Sequence, residues 1–368
     1  MSSAMQVERA NGFQVKLAKY KKLIDLDIAE YTKVAQRSSL QNFGKNSRVA
    51  ADAYLQILSR GGKRIRGALA MLGYEMSGGK DEQMILEAAR AVEMIHAYIL
   101  IMDDIMDRSP SRRGGPTAHF MLMEYHKKMN YSDDALHFGE SIAANAALIG
   151  NHLAQMQLAN LPAKPELLLN AISVINYGMA TTGHGQINDI FNEVNGKVTE
   201  RDVLNVLEWK TAHYTFLNPL TFGMTLAGAE CKETDAIRDY ALNAGLAFQI
   251  TDDILGTFGE EFESGKSPLD DIREGKRTLL AAYALENAKK TDQNFLLQML
   301  GNAKLSRREF DRCKEIMIES GALEYTRDKS KQYIAKAISS LDEHDDLWDT
   351  EHVEFLRGLA NYLHNRSS

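Results

Sequence analysis

The chain reads as an all-α protein, and three observations predict it. Proline occurs only six times in 368 residues, so long stretches run without a helix breaker. Apolar residues recur at spacings of three and four, as in Leu17, Tyr20, Ile24 and Ile28. Alternating apolar and polar runs, the mark of half-buried strands, are scarce. Ser77-Gly78-Gly79, Ser109 to Gly115, Leu161 to Pro165, Asn195-Gly196 and Glu261 to Pro268 are the expected connections between helices. No stretch has linker composition, internal repeats or low complexity, so residues 1–368 are expected to form a single domain.

Composition narrows the functional classes. Apolar residues make up 44% and charged residues 25%, enough for a sizeable core, and the net charge of −7 argues against tracking along nucleic acid. Two cysteines, Cys231 and Cys313, offer neither a disulfide framework nor a paired-cysteine metal motif, which suits a reducing cytoplasm. Met1 to Lys16 lacks the pattern of a signal peptide. The most apolar segment, Met84 to Met106, carries Glu87, Arg90, Glu93 and His96, so it is expected to be a buried helix and not a stable membrane insertion.

Chemistry begins where that helix ends. Asp103, Asp104 and Asp107 follow the apolar run Tyr98 to Met102, and residues four apart share a helix face, so Asp103 and Asp107 project side by side. Two such carboxylates suit Mg2+, which keeps several waters and completes its shell with substrate phosphates. Alone, the motif reads equally as a solvated acidic helix end. Arg112-Arg113 follows five and six residues after Asp107 on a loop expected to be flexible, and guanidinium groups fork onto phosphate oxygens. Upstream, Gly61-Gly62-Lys63-Arg64-Ile65-Arg66 places Lys63 and Arg66 three apart, as neighbours on one helix face near free N-terminal amides. A second apolar helix, Phe248 to Gly256, ends in the same way with Asp252 and Asp253, and Gln249 lies three and four residues before them.

From Gly61 to Arg277 the sequence resembles the trans-prenyl diphosphate synthases: the Gly-Gly-Lys-Arg motif, both aspartate-rich motifs and the basic pair occur in the family's order and spacing. The resemblance implies a helical bundle of the isoprenoid synthase type around a central hydrophobic cavity. It implies magnesium-dependent 1'-4 condensation of isopentenyl diphosphate with an allylic diphosphate. By resemblance, Lys63, Arg66, His96 and Arg113 hold isopentenyl diphosphate, while Arg112, Lys210 and Lys266 hold the allylic diphosphate. Asp103, Asp107 and Asp252 are the metal ligands, with Asp104 and Asp253 in support, and Gln186 and Asp189 line the cavity. Lys210, Thr211 and Gln249 assist the ionising allylic carbon, and Lys276 has a lesser role.

A lone histidine in an apolar helix also reads as a core residue, and Tyr98, the implied floor of the product channel, lies about 140° from Asp103 on an ideal wheel. Ordinary core packing therefore stays open for both. An aromatic at Tyr98 without a second at Ile99 resembles the geranylgeranyl (C20) type more than the farnesyl (C15) type, whereas Gly256, standing where the fullest second motif has aspartate, blurs the product length. Two alternatives stand beside this reading: a class I terpene cyclase, and a non-catalytic partner subunit of a synthase. Family habit implies a homodimer.

Overall fold

The computed structural model describes residues 3–259 and 268–366. The all-α expectation holds: among the described residues helices carry the chain, and the strands are a single pair of two residues each. Among the described residues no helix is long and apolar enough to cross a membrane. The chain forms two compact units, one of residues 15–172 and 222–228, the other of residues 1–14, 173–221 and 229–368.

The first unit is built on α1 (Ser3–Ser59, broken at Gly44) from Val15 onward, α2 (Ile65–Met76), α3 (Glu82–Met106), α4 (Ala118–Lys128) and α5 (Ala135–Ala159). Asp81 caps α3 by accepting the Met84 N–H, and Asp134 caps α5 by accepting those of Leu136 and His137. The α3 helix, packed against α2 and α5, is buried without a break from Ala91 to Ala97, as its nearly uniform apolarity requires. Tyr54 reaches α3 from α1 and donates its hydroxyl to the Met94 carbonyl at 2.7 Å. Between α3 and α4 the chain forms an antiparallel hairpin, β1 (Ser111–Arg112) and β2 (Gly115–Pro116). Arg113 and Gly114 both have positive φ, 52° and 71°, the two-residue turn whose twist matches paired strands. The loop expected to be flexible is thus a tight hairpin.

His119 on α4 is buried, and burial pushes its pKa down to about 4. It stays neutral in the folded chain but takes up a proton below about 6.5 once unfolded, so its contribution to stability is present above pH 6.5 and lost as pH falls toward 4. Urea unfolding should show an acid-side loss of about 2–3 kcal/mol between pH 7 and 4.5 that is missing in His119→Gln, which does not titrate.

The second unit holds α7 (Glu200–Val206), the π-helix Leu207–Leu217, α9 (Cys231–Phe258), α10 (Asp270–Glu274), α11 (Leu279–Asn287), α12 (Lys290–Met299), α13 (Arg307–Glu319), α14 (Ala322–Asp342) and α15 (Thr350–Arg366). Capping boxes start α7 at Thr199 and Asp202, and α13 at Ser306 and Glu309. The α9 helix packs along α14 and the π-helix, and its fully buried Tyr240 donates to the Leu356 carbonyl at 2.6 Å. Besides α1, α6 (Pro165–Val194) and α8 (Asn218–Ala227) have residues in both units.

Candidate active site

Asp103 lies in the last turn of α3 and Asp107 caps it, the Asp107 N–H bonding the Asp103 carbonyl at 2.8 Å, so the backbone keeps the i,i+4 spacing. Carboxylates at a helix C-terminus oppose its dipole and need a cation nearby. Arg112 supplies one from the hairpin: its Nε donates to Asp104 Oδ1 at 2.7 Å and its Nη2 lies 3.3 Å from Asp103 Oδ2. Burial disfavours the Arg112 charge, but Asp104 and then Asp103 outweigh it and hold its pKa above the ordinary value. Asp104 is fully buried, which makes it a support for Arg112. Arg60, at the end of α1, clamps the hairpin by donating to the carbonyls of Pro116 and Arg112.

The basic motif lies beside this acidic end of α3. Gly61, Gly62 and Arg64 have φ of 77°, 141° and 52°, values outside the right-handed helix, so α2 starts only at Ile65. Lys63 consequently stands in an exposed loop and not on a helix face, which corrects the sequence expectation; Arg66 alone lies in the first turn. Arg113 donates to the Gly61 carbonyl, joining the hairpin to this loop. His96 Nε2 lies 3.3 Å from Arg66 Nη1 and 3.5 Å from Arg113 Nη2. Guanidinium groups only donate, so Nε2 accepts and the ring proton sits on Nδ1. Burial and then Arg66 and Arg113 hold the His96 pKa well below 6.5, which keeps the ring neutral.

In the second unit the π-helix carries Lys210 and Thr211; such wide turns often mark functional positions. Lys210 Nζ is held 2.7 Å from Asp189 Oδ2 on α6. Thr211 donates to Gln249 Oε1 at 3.1 Å, and Gln249 Nε2 donates to Asp253 Oδ1 at 2.7 Å, forming a chain that fixes the amide. Burial, then Asp271 and Asp252, push the Asp253 carboxyl up to about 8. Among the described residues no three His, Cys, Asp or Glu side chains gather closely enough to hold an ion unaided. An ion held by these carboxylates would need substrate oxygens to complete its shell.

The polyprenyl synthetase family is recognised over residues 47–317. The chain belongs to the polyprenyl synthetase family. The chain is 32% identical to the geranylgeranyl diphosphate synthase of Saccharolobus solfataricus over 83% of its own length and 87% of the relative. It is 31% identical to the geranylfarnesyl diphosphate synthase of Aeropyrum pernix over 85% and 93% of the two chains. A geranylgeranyl pyrophosphate synthase from Corynebacterium glutamicum, solved with isoprenyl diphosphate and magnesium, superposes with a TM-score of 0.90 at 30% identity, covering 95% of this chain and 99% of that one. Membership makes the protein a prenyltransferase of isoprenoid biosynthesis, and the expected helical isoprenoid synthase fold is its fold.

The first unit brings together Arg66, His96 and Arg113, and separately Asp103, Asp104 and Arg112. The second unit links Asp189 with Lys210, and Thr211 with Gln249 and Asp253. Tyr98 is half-buried on α3, and Gln186 lies on the α6 face that carries Asp189. Lys266 and most of the Glu261 to Pro268 connection lie outside the described residues.

Sequence reasoning missed Arg60, Arg64, Glu93 and Asp271. Their types were visible, but their partners lie far away along the chain. Asp271 answers the question posed by Gly256: its Oδ2 stands 2.8 Å from where a Cβ at position 256 would sit. A carboxylate from α10 thus occupies the space beside the residue where the fullest motif has its own aspartate. Gly256→Asp must push Asp271 aside and bring two like charges together, at an expected cost of about 1–2 kcal/mol. Repulsion raises the folded-state pKa of such carboxyls, so the destabilisation should be full at pH 8 and shrink at pH 5; chemical denaturation in chelator at both values checks it.

Proposed function

We propose that the chain condenses isopentenyl diphosphate with an allylic diphosphate to make a short-chain trans-prenyl diphosphate, the C20 geranylgeranyl diphosphate, with Mg2+ as the metal. The gathering of Arg66, His96 and Arg113, with Lys63 on the adjoining loop, is the observation that carries the two-substrate reading. It supplies cations for a second diphosphate next to the acidic end of α3, a requirement that a cyclase working on one diphosphate lacks. The similarity to named geranylgeranyl diphosphate synthases supports the product class.

In this reading Lys63, Arg66 and Arg113 bind isopentenyl diphosphate, while neutral His96 orients the two guanidinium groups. Asp103, Asp107 and Asp252 would hold magnesium, since their donors are all oxygen and the first two lie one turn apart. When bound, the metal would neutralise charge on the departing diphosphate. Arg112, Lys210 and Lys266 hold that diphosphate as the allylic carbon–oxygen bond breaks. Thr211 and the carbonyl of Gln249 present their oxygens to the allylic cation. The isopentenyl double bond attacks that cation, and loss of a proton to the departed diphosphate completes the new double bond.

Farnesyl diphosphate incubated with magnesium, with and without isopentenyl diphosphate, tests the reading. Geranylgeranyl diphosphate formed only in the two-substrate mixture is expected. Hydrocarbon released without isopentenyl diphosphate would indicate a cyclase, and an inert chain that alters a partner's product would indicate a subunit. Tyr98 is proposed as the channel floor, so Tyr98→Ala should lengthen the product by one or more C5 units, read by mass spectrometry.

Both units are proposed to act as one domain, and the protein as a homodimer. The α5 helix exposes Leu148, Ile149 and Met156, and α6 exposes Ile187, Phe191 and Val194, apolar side chains that a second copy would cover. Light scattering should give twice the monomer mass.

A further inference from the structure

We propose that Glu93 and Arg64 form a buried brace that positions the isopentenyl diphosphate site, an inference that rests on the substrate assignment above. Glu93 lies on α3 three residues before His96 and is only 2% exposed. Its Oε1 accepts the Gly67 N–H in the first turn of α2 at 2.9 Å, and its Oε2 accepts Arg64 Nη1 at 3.1 Å. Arg64 is gripped from α1 as well: its Nε donates to Asp25 at 2.8 Å and its Nη2 to the Leu58 carbonyl at 2.8 Å. One buried guanidinium therefore ties α1 and α3 to the loop whose neighbouring residues are Lys63 and Arg66.

The backbone shows that this loop is held in place. Arg64 sits at φ 52°, ψ 33°, a left-handed conformation costing about 1–2 kcal/mol for a residue with a Cβ. Such strain persists only where surrounding contacts over-determine it. The brace supplies them, and the strain turns the chain between exposed Lys63 and Arg66 so that both follow the same rigid corner.

Charge gives Glu93 a second reason to be there. Arg66 and Arg113 converge on neutral His96, and Arg64 stands on Glu93 one helical turn before it. Burial lowers the Arg113 pKa to about 10, and Glu93 is the largest influence opposing that fall. A single buried carboxylate thus steadies the cationic cluster while it awaits an anion. The carboxylate also sits at the N-terminal turn of α2, where a negative charge is favoured. Glu93 touches no substrate in this account; it is a positioning residue.

The test compares substrates. Glu93→Gln keeps the shape and an acceptor for Gly67 but removes the charge. It should raise the KM for isopentenyl diphosphate about tenfold or more while the KM for the allylic diphosphate stays within about twofold. Calorimetry with inorganic pyrophosphate in the absence of metal should show a matching loss of affinity. Arg64→Lys, which keeps the charge and loses the fork, is the second variant should the first fail to fold, and the same split is expected. A purely structural role would leave both KM values unchanged in the folded fraction, and that result overturns the proposal. Lys63→Ala and Arg113→Ala are run in parallel. If they too leave the isopentenyl KM unchanged, the substrate assignment falls and the brace with it; if only they raise it, the brace alone falls.

Discussion

Asp103→Ala and Asp107→Ala are expected to keep the parent melting temperature and to lose about a thousandfold in kcat. Asp103 lies in the C-terminal turn of α3 and Asp107 caps it, where negative charge opposes the helix dipole, so truncating either removes an unfavourable interaction worth a few tenths of a kcal/mol. Asp103 is the weaker partner of Arg112, at 3.3 Å, and Arg112 keeps Asp104 when it is lost. What disappears is an oxygen donor proposed for the metal. Asp104→Ala should behave in the opposite way. It strips a fully buried partner from Arg112 and should cost about 3–5 kcal/mol of stability, as breaking one side of a buried ion pair does. Circular dichroism melts beside incorporation of labelled isopentenyl diphosphate separate the two behaviours. Equal loss of stability in all three variants would defeat the division between ligands and support.

Gly185→Ala should have the next largest effect. A Cβ at Gly185 would lie 2.4 Å from the backbone N of Lys210 and 2.8 Å from its Cα, distances no real contact reaches. The obstacle is backbone, so no side-chain rotation relieves it, and the π-helix must move away from α6. Overpacking of this kind costs about 1–3 kcal/mol. The shift would carry Lys210 away from Asp189 and disturb the contact of Thr211 with Gln249, so kcat should fall about a hundredfold. Gly183 on the same helix is the control. A Cβ there meets nothing within 4 Å, so Gly183→Ala should stabilise by about 0.5–1 kcal/mol through helix propensity and leave kcat untouched. If Gly185→Ala melts and turns over like Gly183→Ala, close approach of the two backbones is not what places Lys210.

Helical periodicity shows what could be read directly. Asp103 with Asp107 rests on one local rule, that residues four apart stack on one face, and the backbone bond from the Asp107 N–H to the Asp103 carbonyl keeps that spacing. The same rule failed for Lys63 and Arg66 because it presumes a helix: positive φ at Gly61, Gly62 and Arg64 delays its start. The glycines announced a turn, but nothing in the local sequence marks Arg64 as left-handed. That conformation is held by Asp25, Leu58 and Glu93, and the two carboxylates lie 39 and 29 residues away along the chain. Arg113-Gly114 became a hairpin turn, and Arg60, 52 and 56 residues before the carbonyls it contacts, holds it.

The sequence by itself determined the helical class, the acidic end of α3 and the family, because these depend on residue type and on spacings of a few residues; the helix of Asp252 and Asp253, expected to end with them, runs on to Phe258. Only the tertiary structure decided that His96 accepts from two arginines, that Asp271 stands beside Gly256, that Lys210 rides on a π-helix held by Asp189, and that Glu93 braces Arg64. Each of those depends on partners from other elements. Proton position, buried charge and backbone strain are set by the atoms that surround a group in space, and a periodic pattern carries no record of them.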